Sequence, residues 1–252
     1  MPDTPDYGES FADVYDRWYG DVTDVAATAD TVEALARAAT GPAAGRVLEL
    51  GVGSGRLAVP IAGRGLAVTG VDSSPSMLAL LAGRPEADAV TVVEGDMTEV
   101  DALVTGPFAV ALVAFNTFFN LTTEDAQRRC LAAVARVLAP GGSLLVEAFV
   151  PGDPPSGVAR DLSTSRVELD RVVLTATEHD PATQVVTGQH IELVDGGATV
   201  RLRPWRIRYA TPDQLDAMAA AAGLDLADRR ADWAGNPFTD DSTQHVSRYV
   251  RR

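Results

Sequence analysis

The sequence is poor in the groups on which several classes of function depend. It has one cysteine and three histidines. A lone Cys130 excludes an internal disulfide, and among the apolar residues of LAAVARVL it reads as a small core residue rather than a nucleophile. His179, His190 and His245 are scattered without paired ligand spacing, which argues against a metal centre. No apolar run approaches the roughly 20 residues of a membrane helix, and MPDTPDYGES lacks the basic and apolar regions of a signal peptide. The expectation is a cytoplasmic protein without a membrane partner. Positive charge is also short: the formal net charge is −14 and the pI about 4.5, which opposes binding to a phosphate backbone and predicts no nucleic-acid partner. Arg201, Arg203, Arg206 and Arg208 form one local cationic run, which reads as a solvated strand face.

What is present suits one compact domain with a modest insertion: 252 residues, 46% hydrophobic and 22% charged. From Gly45 to Val150, β-rich runs (RVLEL, AVTGVD, AVTVVEG, FAVALVAF, SLLVEAF) alternate with helical stretches, the pattern of a parallel sheet covered by helices. A helix opens at Ser74 and Pro75, and another closes at Pro140 and Gly141. Ahead of the first strand, Glu9 to Tyr19 and Val22 to Thr40 predict two helices. After PGDPPSG, Arg166 to Tyr209 reads as three antiparallel strands joined by HDPAT and DGG turns. A helix capped by Thr211 and stopped at Gly223 precedes two last strands, LDLADRRADW and TQHVSRYV. The expected organisation is an N-terminal helical lid over 1–44, an α/β core over 45–152, inserted antiparallel strands over 153–210 that wall a substrate or form a dimer contact, and a closing segment over 211–252.

The chemistry concentrates at the carboxyl ends of the strands. VLELGVGSGRLAVPIA is a strand, a glycine-rich turn and a helix, so it brings backbone close to a ligand. Its Gly53 to Ala58 frame also fits a dinucleotide fingerprint. Glu49, just before the turn, can pair with an ammonium but would oppose a pyrophosphate. Asp72 ends the second strand, where a short acid accepts from ribose hydroxyls. Gly95-Asp96-Met97 follows the third strand and offers an acid with an apolar neighbour, which suits the amino group and face of an adenine. Taken alone, each acid could simply cap a turn. Asn116 and Asn120 punctuate the aromatic run AFNTFFNL at the end of the fourth strand, and Glu147 stands in the apolar strand LLVEAF, where it needs a partner or a raised pKa.

Together these motifs resemble the class I S-adenosylmethionine-dependent methyltransferases, with the match running from Tyr7 to Val150. The resemblance implies a Rossmann-like fold, with a mostly parallel seven-stranded sheet, helices on both faces and an inserted antiparallel sheet. It implies a cofactor, S-adenosylmethionine, leaving as S-adenosylhomocysteine. The implied cofactor residues are Glu49 with Gly51, Gly53 and Gly55 for the methionine portion, Asp72 for the ribose, and Asp96 with Met97 for the adenine, with Ser73 and Met77 also expected at the cofactor. Tyr19, Phe115 and Asn116 are expected beside them. A looser resemblance to small-molecule, amino-sugar type N-methyltransferases runs through DYGESFADVYDRWY, AFNTFFNL and VEAFVP. In those enzymes a tyrosine near the N-terminus and a histidine after the fourth strand serve the active site. Tyr7 matches the first, whereas Asn120 stands at the second and cannot act as a base.

The expected activity is methyl transfer to N or O of a small-molecule acceptor, with Glu147, Asn120 and Tyr7 as catalytic candidates. Tyr15, Phe118, Phe119, Trp205 and Arg206 are expected to bind the acceptor, Arg206 through an anionic group. His179 and His245 are further candidates for a base. The protein is expected to be a monomer or homodimer. Two alternatives remain at this point: an NAD-dependent oxidoreductase, and a non-catalytic module that binds S-adenosylmethionine.

Overall fold

The computed structural model describes residues 7–20 and 22–252. Five apolar runs form parallel strands: β1 (Arg46–Leu50), β2 (Ala67–Asp72), β3 (Val90–Glu94), β4 (Phe108–Val113) and β5 (Leu138–Phe149). Every residue of β4 is buried, as expected of a strand covered on both faces. Four more strands, β6 (Ala159–Val167), β7 (Arg171–Asp180), β8 (Val185–Val194) and β9 (Thr199–Arg208), form a separate antiparallel sheet. Strands β10 (Leu224–Arg230) and β11 (Gln244–Arg251) return to the first sheet, whose order is β10-β11-β5-β4-β1-β2-β3. From β1 the chain proceeds outward to β2 on one side, while β4 lies on the other. That reversal opens a crevice at the carboxyl ends of β1 and β4, the place where open α/β sheets bind ligands.

Helices cover both faces. On one side α3 (Val25–Ala38), α4 (Ala58–Ala62) and α5 (Pro75–Ala82) bury Val32, Ala36, Ile61 and Leu81. On the other, α6 (Val100–Leu103), α7 (Glu124–Val137) and α8 (Pro212–Ala221) bury Val100, Leu131, Val134 and Met218. Their starts are set by side-chain caps. Ser74 accepts from the Met77 amide with Pro75 at the first position, Thr123 accepts from Ala126, and Thr211 with Gln214 forms a capping box. Cys130 lies on the buried stripe of α7, and burial pushes its thiol up to about 12. Among the described residues no helix is long and apolar enough to cross a membrane.

Three expectations are corrected. The first predicted helix is two short ones, α1 (Tyr7–Phe11) and α2 (Tyr15–Tyr19). The break lets Phe11, Val14 and Trp18 all turn inward onto Val173 of β7. The insertion has four strands instead of three, because β6 reads as polar yet pairs with β7 along its length. Finally, α7 ends at Val137, and Pro140 and Gly141 already belong to β5.

Candidate active site

The glycine-rich turn is built by backbone geometry that only glycine adopts without strain. Gly51, Gly53 and Gly55 have φ of 66°, 55° and 77°. Asp72 pins the turn, its Oδ2 accepting from the Gly53 amide at 2.7 Å and its Oδ1 from the Ser74 amide at 2.9 Å. Asp96 likewise accepts from Thr98 at 2.8 Å. The capping role open to each acid from sequence is thus present in both, and both also line the cavity beside the turn.

That cavity measures about 560 Å³. Its first wall carries Gly51, Gly53, Asp72, Ser73, Met77 and Asp96, with Met97 beside them. Tyr7, Tyr15 and Tyr19 reach it from α1 and α2, and Phe115, Asn116 and Asn120 from the loop after β4. The second sheet contributes Trp205 and Arg206 from β9 and His190 from β8. Tyr19 and Phe115 meet at 5.8 Å between ring centroids. Burial raises the phenols of Tyr7, Tyr15 and Tyr19 above their ordinary range, with the Tyr19 hydroxyl adding to the shift at Tyr7. They are therefore neutral hydrogen-bonding groups at physiological pH.

Glu49 lines a small adjoining hollow with Tyr15, Gly51, Arg56 and Phe115. It is 4% exposed and its Oε2 has no hydrogen-bond partner. Burial pushes its carboxyl up to about 8, with Arg56 opposing and Asp72 adding to the shift. The Nε and Nη1 of Arg56 are also buried and unpartnered. One hollow thus holds an unsatisfied acceptor and unsatisfied donors, a costly state unless a ligand completes both. An α-amino acid group complements it, ammonium to Glu49 and carboxylate to Arg56, and this fits the methionine portion of S-adenosylmethionine.

Four expected site residues lie elsewhere. Phe118 and Phe119 are 1% and 0% exposed and belong to the core. The 3-10 turn Thr117–Asn120 throws both rings inward, so neither reaches the cavity. Gly55 packs against α5, where a Cβ would strike Leu81. Glu147 is 8% exposed and does not face the cavity. Its Oε2 accepts from the Phe115 amide, and this contact, with burial, accounts for its position behind the loop. Burial raises its carboxyl, against the opposing Phe115 amide, Trp233 and Arg56. The two alternative histidines are also displaced: His179 bonds the Tyr209 hydroxyl at 2.8 Å, and His245 is fully buried on β11 beside Ser247.

His190 and Arg56 were not anticipated as site residues. Arg56 follows the glycine-rich turn directly, and that adjacency was the available signal. His190 had none, because its strand alternates polar residues on both faces.

The Methyltransferase domain family matches the chain over residues 47–142. The cypemycin N-terminal methyltransferase of a Streptomyces species is 32% identical over 201 residues, 79% of this chain and 80% of that protein. The CcbJ methyltransferase of Streptomyces caelestis superposes with a TM-score of 0.87 at 39% identity, over 98% of each chain. The SAM-bound amino pentose methyltransferase CalS10 of Micromonospora echinaspora shares the fold, with a TM-score of 0.64 at 24% identity over 91% of this chain and 90% of its own. Read with the hollow around Glu49 and the acids at successive strand ends, these likenesses establish the chain as a member of the class I S-adenosylmethionine-dependent methyltransferases.

Proposed function

We propose that this enzyme methylates the nitrogen of a small-molecule amine. The observation that carries the reading is the composition of the cavity. One half is lined by the glycine turn and two strand-end acids, and the other is closed by α1, α2 and the second sheet into a space of small-molecule size. One likeness supports nitrogen as the target, that to the cypemycin N-terminal methyltransferase.

When bound, S-adenosylmethionine supplies an electrophilic methyl group on a sulfonium centre. Glu49 and Arg56 hold its amino acid portion, Asp72 with Ser73 the ribose, and Asp96, Met97 and Met77 the adenine. Tyr19, Phe115 and Asn116 border the reacting end. Tyr7, Tyr15, Asn120 and Trp205 orient the acceptor, and Arg206 pairs with an anionic group on it. The chain's task is alignment and exclusion of water, since in-line displacement gains most from a fixed attack geometry. In this reading α1 and α2 of the 1–44 segment serve as lid while α3 covers the sheet, with 45–152 as cofactor core, 153–210 as acceptor wall and 211–252 as the closing segment. A dinucleotide is disfavoured because its pyrophosphate offers no donor to the unpartnered Oε2 of Glu49.

The test pairs calorimetric titration with S-adenosylhomocysteine, using NADH as control, with a methyl-transfer assay on glucosamine, dialanine and benzylamine beside their hydroxyl analogues. Saturable binding of S-adenosylhomocysteine alone and methylation of an amine are expected. Methylation confined to the hydroxyl analogues would overturn the choice of nitrogen.

A further inference from the structure

We propose that His190 is the base that takes the proton from the acceptor nitrogen, an inference that rests on the reading of the cavity as a methyl-transfer site. The ring lies on the inner face of β8, in register with Thr175 of β7 and Arg203 of β9. Its Nδ1 is 2.7 Å from the Thr175 hydroxyl, which is itself hydrogen-bonded to Ser165. Phe11 and Trp18 meet the ring edge-on at 5.5 and 5.8 Å, and Trp205 lies at 6.1 Å. The imidazole is therefore fixed on three sides, while the ring lines the cavity. With Nδ1–H donating to Thr175, Nε2 carries the lone pair of a ring that lines the cavity, since fixing one nitrogen sets the tautomer at the other.

The remaining polar groups on the acceptor side fail as bases for separate reasons. Tyr7, Tyr15 and Tyr19 hold their phenolic protons more tightly than usual. Asn120 is an amide, Glu147 sits behind the loop, and the chain contains no lysine. Asp72 and Asp96 already accept from backbone amides on the cofactor side. The charged groups facing His190 are Arg166 from β6 and Arg203 from β9, with Arg206 of β9 and the three tyrosines of α1 and α2 lining the same cavity. Burial first, then Arg166 and Arg203, lower its pKa, so the ring is neutral and able to accept at physiological pH. In the step, an N–H bond of the acceptor ammonium breaks, its electron pair stays on nitrogen as the lone pair for attack, and the proton passes to Nε2 and later to water. A histidine from the inserted sheet thus takes over the task for which the loop after β4 offers only Asn120.

Long-range proton–nitrogen NMR of the 15N-histidine protein, with and without S-adenosylhomocysteine, reads the tautomer without any acceptor, and His190→Gln assigns the signal. The expected spectrum at pH 7.5 shows Nδ1 protonated and Nε2 bare; a proton on Nε2 would overturn the proposal. In the methyl-transfer assay with glucosamine, dialanine or benzylamine, His190→Gln is expected to lower turnover about 100-fold, in the range for a lost general base. It should bind S-adenosylhomocysteine within about twofold of the parent and lose the acid limb of the kcat/KM profile expected of the parent below the ordinary histidine range. Unchanged turnover, or an acid limb that survives the substitution, would leave His190 as a packing residue and sink the idea. If the parent methylates none of the amines, the function reading fails, whereas the tautomer spectrum still decides the geometry claimed for His190.

Discussion

Glu147 Oε2 accepts the amide hydrogen of Phe115 at 2.8 Å, and the Glu147 carbonyl accepts that of Asn116 at 3.0 Å. Both loop residues have positive φ, 45° and 63°, a conformation that costs a non-glycine residue of order 1 kcal/mol or more and persists only where neighbours enforce it. Asn116 adds its own brace, Oδ1 accepting from the Phe149 amide at 2.7 Å. Glu147 is therefore a positioning residue for the loop that lines the cavity. Glu147→Gln keeps an acceptor oxygen and should retain most activity with an unaltered pH profile. Glu147→Ala leaves the Phe115 amide unpaired and should lose about 1–3 kcal/mol of stability together with most turnover. Denaturant melts and steady-state kinetics on both variants check this; equal loss in the two would point to the charge instead of the hydrogen bond.

The buried Glu49 makes a pH-dependent prediction. Its carboxyl is raised in the folded protein to about 8 from an ordinary value of 4.5. A raised folded pKa favours the protonated native state, so this stabilisation is complete below pH 4.5 and lost as pH rises through 8. The full difference is on the order of 5 kcal/mol. Between pH 6.5 and 8.5, above the histidine range, the melting temperature of the free protein should fall, and Glu49→Gln should flatten the slope. S-adenosylhomocysteine offers an ammonium partner to the charged form, so its stabilising effect should grow over the same window. Calorimetry at pH 7 in buffers of different ionisation enthalpy should show proton release on binding in the parent and none in Glu49→Gln.

The parts of this molecule legible in the sequence are those fixed by short-range physics. The glycine turn, the caps at Ser74 and Thr211 and the apolar strands each announce themselves within a few residues. What was not legible depends on partners far away in the chain. The inner face of the second sheet carries Thr175, His190, Glu192 and Arg203, so it reads as polar and solvated. It is buried because Glu192 pairs with Arg171 and Arg203, and Arg203 with Asp13 of the segment between α1 and α2. The same long-range packing turns Phe118 and Phe119 into core residues, since an aromatic run gives no sign of which rings a 3-10 turn will bury. The orientation of Glu147 depends on a loop 32 residues earlier, which strand periodicity cannot report.

Asp72 joins two functions, holding the Gly53 and Ser74 amides and bordering the cavity. Asp72→Asn retains one acceptor oxygen but sets an amide against one of the two donors. Asp72→Ala removes both acceptors along with those offered to a ribose. The alanine variant should bind S-adenosylhomocysteine about 10- to 100-fold more weakly, equivalent to about 1.5–3 kcal/mol for charge-assisted hydrogen bonds. The asparagine variant should fall between it and the parent. Titration calorimetry decides, and unchanged affinity in Asp72→Ala would remove the ribose assignment.

Gly8 of α1 touches α5 so closely that a Cβ there would fall within the Ser74 side chain. Beside it, Glu9 accepts from the Ser74 hydroxyl at 2.6 Å and from the Ser76 amide at 3.0 Å. Asp16 of α2 similarly receives the Ser54 hydroxyl and Arg84, both at 2.7 Å. The two short helices are therefore latched against the glycine-rich turn and α5 by contacts that a single methyl group would disturb. Overpacking of this kind typically costs about 1–3 kcal/mol, and here it would fall on the local opening of α1 instead of on the core. Gly8→Ala should accordingly weaken S-adenosylhomocysteine about tenfold or more, chiefly through faster dissociation, with little change in the main thermal transition. Gly152→Ala, at a position with nothing within 4 Å of the added carbon, is the control and should match the parent. Stopped-flow release of S-adenosylhomocysteine measures the difference, and a Gly8→Ala protein that releases it at the parental rate would show that α1 does not gate the cofactor.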